Sequence, residues 1–113
     1  HKQWYFGKGL DGFTPMGPCI TSADEIAFPP ALQISSHING ELRQDSVTGL
    51  LITSIADIIE ELSSGMTLMP GTIIATGTPS GVGMGFDPPK FLKSGDVVEC
   101  FIEGIGTLRN IVR

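Results

Sequence analysis

Apolar positions along the chain follow two rhythms, and between them they divide it into elements. Leu32, Ile34, Ser36 and Ile38 alternate with Gln33, Ser35 and His37, the period of two that sends successive side chains to opposite faces of a strand. A second such run, Glu41-Leu42-Arg43-Gln44-Asp45-Ser46-Val47, follows after Asn39-Gly40. Asn-Gly tolerates the two positive-φ positions of a tight turn, so a two-residue hairpin is predicted. The alternation places His37 away from the isoleucine face, exposed on its strand. With no carboxylate or second histidine set by sequence to orient it, His37 is a poor general-base candidate.

The other rhythm occurs in residues 54–65. Ile55, Ile58, Ile59 and Leu62 recur on one helical face, Ser54 with Asp57 forms a capping-box pattern, and Gly65 stands where the helix should stop. The stripe is expected to cover one side of a sheet, leaving Asp57, Glu60 and Glu61 as the wet face. Residues 97–103 and 107–113 read as a closing hairpin through Gly104-Ile105-Gly106. Pro70-Gly71 is a turn pair feeding the β-branched run Thr72-Ile73-Ile74-Ala75-Thr76, read as a short buried strand. Residues 4–18 read as loop, 19–21 as a short strand and 22–26 as one capped helical turn ending before Pro29-Pro30. The pattern is mainly β with one packed helix, an α+β domain.

Between two predicted strands lies the stretch on which candidate chemistry centres. Gly77, Gly81, Gly83 and Gly85 fall within nine positions, interleaved with Thr78, Pro79 and Ser80. Such spacing suits a backbone that approaches something closely. It lacks the Gly-Lys-Ser/Thr ending of a P-loop, and Asp87-Pro88-Pro89 prevents the helix that a dinucleotide fingerprint requires. A long turn between strands has the same composition, and composition alone ranks that reading first.

Size and charge narrow the classes. The 113 residues suffice for one domain with a modest core; 15 Gly and 8 Pro, about a fifth of the chain, are many for a helical protein but too few to signal disorder. A formal charge of −5 without a basic run argues against a nucleic-acid surface or an anionic membrane patch. Cys19 and Cys100 have no metal-type spacing and read as buried, reduced thiols of an intracellular protein. No segment reaches the length of a membrane span, and His1-Lys2-Gln3-Trp4 is unlike the start of a targeting peptide. The absence of an initiating Met leads to the expectation of a processed product or a piece of a longer sequence.

Candidate site residues are few. Lys8 stands between Gly7 and Gly9, where its ammonium can project from a tight turn toward an anion or carbonyl oxygen; spacing alone favours a solvated pair with Asp11. Asp24-Glu25 offers two carboxylates, but adjacent acids at a helical start more often serve its dipole. With His1 and His37 the only histidines, there is no Ser-His-Asp set and no paired-His or Cys-rich metal motif.

The ordered words of the chain resemble the C-terminal catalytic domain of the fumarylacetoacetate hydrolase family. Gly7-Lys8-Gly9-Leu10-Asp11-Gly12-Phe13 is similar to its Lys-x-Phe-Asp-x-Phe segment, and Asn39-Gly40-Glu41-Leu42-Arg43-Gln44-Asp45 to its hairpin. The most specific stretch is Ile74-Ala75-Thr76-Gly77-Thr78-Pro79-Ser80-Gly81-Val82-Gly83, and Gly95-Asp96-Val97-Val98-Glu99 with residues 102–110 completes the set. The resemblance implies a mixed β-roll or barrel-like domain, truncated at its N-terminal side, so that residues 1–113 are a single partial catalytic domain. It implies Mg²⁺ or Mn²⁺, with Ca²⁺ as an alternative, and short dicarbonyl acids as substrates. Hydrolysis of acylpyruvates or fumarylacetoacetate, oxaloacetate decarboxylation and keto–enol tautomerisation are the reactions implied, all through an enolate that a metal stabilises.

By position, Lys8 is the implied catalytic and substrate-binding cation, and Gly77, Thr78 and Pro79 the turn that holds a substrate carboxylate. This reverses the ranking of both loops. The family's Glu-x-Glu and Asp metal ligands and its Glu–His pair are expected upstream of Lys8, so no metal ligand is assigned here and the chain alone is expected to be inactive. A homodimer in the cytoplasm or mitochondrion is the expected state at full length; the alternative is a non-catalytic scaffold or dimerisation module. Gly9-Leu10 is the departure from the family pattern nearest a functional position.

Overall fold

The computed structural model describes residues 4–113; His1-Lys2-Gln3, read above as unlike a targeting segment, lies outside them. The described residues form a four-stranded antiparallel sheet, order β2-β1-β3-β4, from β1 (Gln33–Ile38), β2 (Glu41–Val47), β3 (Val97–Ile102) and β4 (Gly106–Ile111). The helices are α1 (Trp4–Lys8) and α2 (Ile55–Gly65). Both predicted hairpins are present, and β1 joins them by pairing with β3, Ile34 opposite Ile102 and Ile38 opposite Val98.

The first hairpin turns where Asn-Gly predicts, with φ of 52° at Asn39 and 81° at Gly40. Asn39 also fastens this turn to the next strand. Its Nδ2 donates to Asp96 at 2.9 Å, and its Oδ1 accepts from the Val97 amide at 2.9 Å. Asp96 accepts the Lys93 amide as well; the Asn39 hydrogen bond, then the Lys93 amide, hold its carboxyl below the usual carboxylate range. The turn predicted to feed β3 is therefore cross-linked to the hairpin it adjoins.

β2 is not regular. Ser36 lies opposite Gln44 and His37 opposite Leu42, so Arg43 is an extra residue, a β-bulge. β1 is central, and His37 is half-buried there rather than exposed.

α2 begins at the predicted cap. Ser54 Oγ accepts the Asp57 amide at 3.1 Å and donates to the Asp57 carboxylate at 2.6 Å, an arrangement that contributes about 1 kcal/mol to such a helix. The apolar stripe is amphipathic as read but not buried: Ile55, Ile58 and Leu62 are half-covered, and Ile59 is 41% exposed. No extensive contact joins α2 to a strand among the described residues, so the stripe does not cover a sheet face here.

Other local expectations are corrected by missing partners. Residues 72–76 form no strand and Ile73 is exposed, so the β-branched run is not a buried strand. The Pro70-Gly71 turn before it does form, the Thr72 amide donating to Met69 O. Residues 19–21 are likewise unpaired, and 22–26 make one turn closed by the Glu25 amide on Ser22 O. Within the stretch read as loop, residues Trp4–Lys8 wind into one short helix that ends where the Gly9 amide is shared between the Tyr5 and Phe6 carbonyls. Both cysteines are exposed, not buried.

These departures share a cause visible in the surface area. The chain exposes 9081 Å², against about 6,000 Å² for a folded monomer of this mass, and no apolar residue is buried among the described residues. The sheet is thus an open layer whose apolar faces are largely uncovered.

Candidate substrate-binding turn

The glycine-rich segment docks on the edge strand β2 at its bulge. A Cβ on Gly81 would lie 1.9 Å from the Arg43 carbonyl oxygen, and φ there is +106°; only glycine fits both the space and the conformation. Gly83 meets the returning limb, its carbonyl accepting the Lys90 amide at 2.8 Å, and a Cβ there would be 2.3 Å from Lys90 O. The close approach read from the glycine spacing is therefore real at two positions, and what the backbone approaches is the protein's own chain. Gly77 differs: φ is +106°, yet nothing lies within 4 Å of a Cβ built there, so it faces open space beside Thr78.

The returning limb is held by charge. Lys90 Nζ lies 2.8 Å from Glu41 Oε1 and 4.8 Å from the Phe86 ring centroid, and Arg43 lies over the same ring at 5.1 Å. The buried Arg43 Nε has no hydrogen-bond partner and faces Glu41 at 3.3 Å as an ion pair only. The hydrogen bond from Lys90, ahead of the charge of Arg43, holds the Glu41 carboxyl below its usual range. A half-open groove of about 290 Å³ beside this cluster is lined by Ile38, Asn39, Arg43, Lys90, Phe91 and Asp96 among others; it includes neither Thr78 nor Lys8.

Just N-terminal to these contacts, residues 77–79 meet β2 through Gln44. Gln44 Nε2 donates to Thr78 Oγ1 at 2.7 Å and to Pro79 O at 2.8 Å, while Gln44 Oε1 accepts from Ser36 Oγ at 2.9 Å. Thr78 is exposed and Pro79 half-buried. Gln44 was not singled out by the sequence reading. It lies in the hairpin segment 39–45, but only docking of a loop 34 residues away gives its amide a role. A glutamine following the arginine of the hairpin, together with a distant glycine loop lacking a partner, is the signal that was available.

Lys8 is the last residue of α1, where a cation suits the helix end. It is exposed and makes no ion pair among the described residues, so the expected pair with Asp11 is absent. Its carbonyl accepts the Thr14 hydroxyl at 2.5 Å. No hydrogen bond or ion pair joins it to the Thr78 turn. Among the described residues no three His, Cys, Asp or Glu side chains cluster as a metal would require, Asp24 and Glu25 included, and no helix is long and apolar enough to cross a membrane.

Comparison with known proteins gives the family. The family model described as fumarylacetoacetate (FAA) hydrolase C-terminal matches residues 1–113. Oxaloacetate tautomerase YisK of Bacillus subtilis is 54% identical over 110 residues, 97% of this chain and 36% of the relative. The fumarylacetoacetate hydrolase of psychrophilic Exiguobacterium antarcticum superposes with a TM-score of 0.92 at 48% identity, covering 100% of this chain and 40% of that one. The maleylpyruvate hydrolase of Sphingobium sp. SYK-6, solved in complex with manganese(II) and pyruvate, gives 0.82 at 40% identity over 95% of this chain and 38% of that one. The chain thus spans about two fifths of the length of these relatives. It belongs to the fumarylacetoacetate hydrolase family, matching its C-terminal domain.

Proposed function

We propose that the full-length protein carrying this chain acts on a short dicarbonyl acid through an enolate, with Lys8 and the Gly77-Thr78-Pro79 turn as its contribution. The observation that carries the reading is the Thr78 hydroxyl. It accepts from Gln44, so its own proton is left to donate outward. A substrate carboxylate is the natural acceptor, and Gly77, with open space where a side chain would stand, leaves the backbone of the turn accessible to it. The Lys8 ammonium would offset negative charge developing on the enolate oxygen.

The relatives named above act as a tautomerase and as hydrolases, which supports the substrate class without choosing among tautomerisation, decarboxylation and carbon–carbon hydrolysis. A divalent ion, Mg²⁺ or Mn²⁺ with Ca²⁺ as an alternative, belongs to the proposal through the manganese-bound relative. No cluster of His, Cys, Asp or Glu among the described residues fits such an ion, so its ligands would come from the rest of the full-length protein. The relatives are bacterial, which gives the mitochondrial alternative no support; the cytoplasm is the compartment proposed. A homodimer is the assembly proposed for the full-length protein.

The test is to assay the full-length protein on oxaloacetate and on maleylpyruvate, following enol absorbance, decarboxylation and hydrolysis, before and after chelation. Turnover of at least one substrate, lost on chelation and restored by Mg²⁺ or Mn²⁺, is expected. No turnover of either substrate with metal present would overturn the reading. The 113-residue chain on its own is expected to show none. The second reading is a non-catalytic scaffold or dimerisation module, and an inactive full-length protein that still assembles would support it.

A further inference from the structure

We infer that Gln44 is the positioning residue for Thr78, and that with Ser36 it makes the Thr78 hydroxyl an obligatory hydrogen-bond donor to an anionic group of the substrate; this rests on the function proposed above. The orientation of the Gln44 amide follows from its neighbours. The Pro79 carbonyl can only accept, so the nitrogen of the amide faces it and the oxygen faces Ser36. Ser36, 9% exposed, is the buried polar residue of the described chain, and its hydroxyl donates to that oxygen. Both amide protons of Gln44 are then spent on the turn, one on Thr78 Oγ1 and one on Pro79 O. A hydroxyl has one proton, and with Gln44 donating to its oxygen the Thr78 proton points elsewhere.

The bulge makes this possible. With Arg43 as the extra residue, Gln44 returns to register opposite Ser36, and the same Arg43 carbonyl is the surface against which Gly81 packs. One irregularity in β2 thus aims the amide and seats the loop that receives it. Nothing else among the described residues hydrogen-bonds the Thr78 side chain, so its direction depends on Gln44.

Gln44→Glu tests the inference while preserving shape. The carboxylate cannot donate to Pro79 O, and it draws the Thr78 proton inward, removing the donor and adding like charge next to the substrate's carboxylate. The readout is the selectivity of the full-length protein for pyruvate over pyruvamide, measured by calorimetric titration. A ratio of affinities is unaffected by a reduced folded fraction. Wild type is expected to prefer pyruvate; Gln44→Glu should cut the ratio at least tenfold, and Ser36→Ala, which frees the far end of the amide, several-fold.

If wild type does not bind pyruvate, the function reading falls and this inference with it. If wild type is selective and Gln44→Glu is equally so, the positioning role is wrong while the function reading stands. Should Gln44→Glu not fold, Ser36→Ala decides: an unchanged ratio overturns the inference, a lowered one supports it.

Discussion

Replacing Gly81 by alanine should cost the full-length protein most of its turnover and several degrees of its melting temperature. Two independent penalties meet at this position. The backbone has φ of +106°, a conformation that an L side chain rarely adopts, and strain of this kind costs on the order of 1–3 kcal/mol. The added methyl would also lie 1.9 Å from the Arg43 carbonyl oxygen and 2.8 Å from its carbon. Both are backbone atoms of the bulge, so no side-chain rotation relieves the clash and the loop must lift away from β2.

Lifting it separates Gln44 from Thr78 and Pro79. Two hydrogen bonds worth roughly 1 kcal/mol each are lost, and the Pro79 carbonyl gives up its donor. The expected result is a fall in kcat/KM on the order of a hundredfold, the magnitude of losing a single well-placed donor to the substrate. Gly85→Ala is the matched control. A Cβ there meets only Val82 Cγ2 at 3.9 Å, so melting and turnover should stay close to wild type. Equal behaviour of the two variants, by calorimetry and steady-state kinetics, would show that the docking of this loop has no bearing on the site.

The same glycines show how far a sequence alone can be read. Asn39-Gly40, the Ser54–Asp57 cap and the closing hairpin were legible because each is settled by neighbours within a few residues. Residues 72–76 misled because β-branching favours extension, whereas a strand also needs a partner edge, and none of the described residues supplies one. The α2 stripe was identified correctly, but its covering lies beyond what periodicity encodes, and within this chain it stays half-open. His37 was placed on the wet side by alternation; the central position of β1, a property of strand order, half-buries it.

The candidate site divides along the same line. Gly77, Thr78 and Pro79 are reached only through the resemblance of the words around them; of the three, the structure shows Gly77 at φ +106° with nothing within 4 Å of a Cβ built there. The physical reading of the glycine spacing foresaw close approach without foreseeing its object. Gly81 and Gly83 turn out to serve docking against Arg43 and Lys90, while Gly77 and Gly85 meet no backbone at such close range. The signal for Gln44 is weak, because a glutamine in a hairpin is ordinary until a bulge and a distant loop meet at it.

Lys8→Met is expected to reduce kcat by a hundredfold or more in the full-length protein with a much smaller change in KM. The residue closes α1, and its carbonyl is fixed by the Thr14 hydroxyl, so the stem starts from a defined point. The ammonium is exposed and without an ion pair among the described residues; removing it therefore breaks no salt bridge there, and the melting temperature should hold. On the function proposed above, what is lost is a positive charge beside the oxygen that would become negative as the enolate forms. Such an interaction is stronger in the transition state than in the bound substrate, which is why the loss should fall on kcat. Lys8→Arg keeps the charge but replaces a compact ammonium by a broad planar fork, so it should recover only part of the rate. Steady-state kinetics of the two variants on the better of oxaloacetate and maleylpyruvate provide the measurement. An unchanged kcat in Lys8→Met would remove Lys8 from the chemistry, and a loss confined to KM would make it a binding residue for the ground-state acid. A fall in kcat at constant melting temperature is the outcome that an enolate-stabilising cation requires.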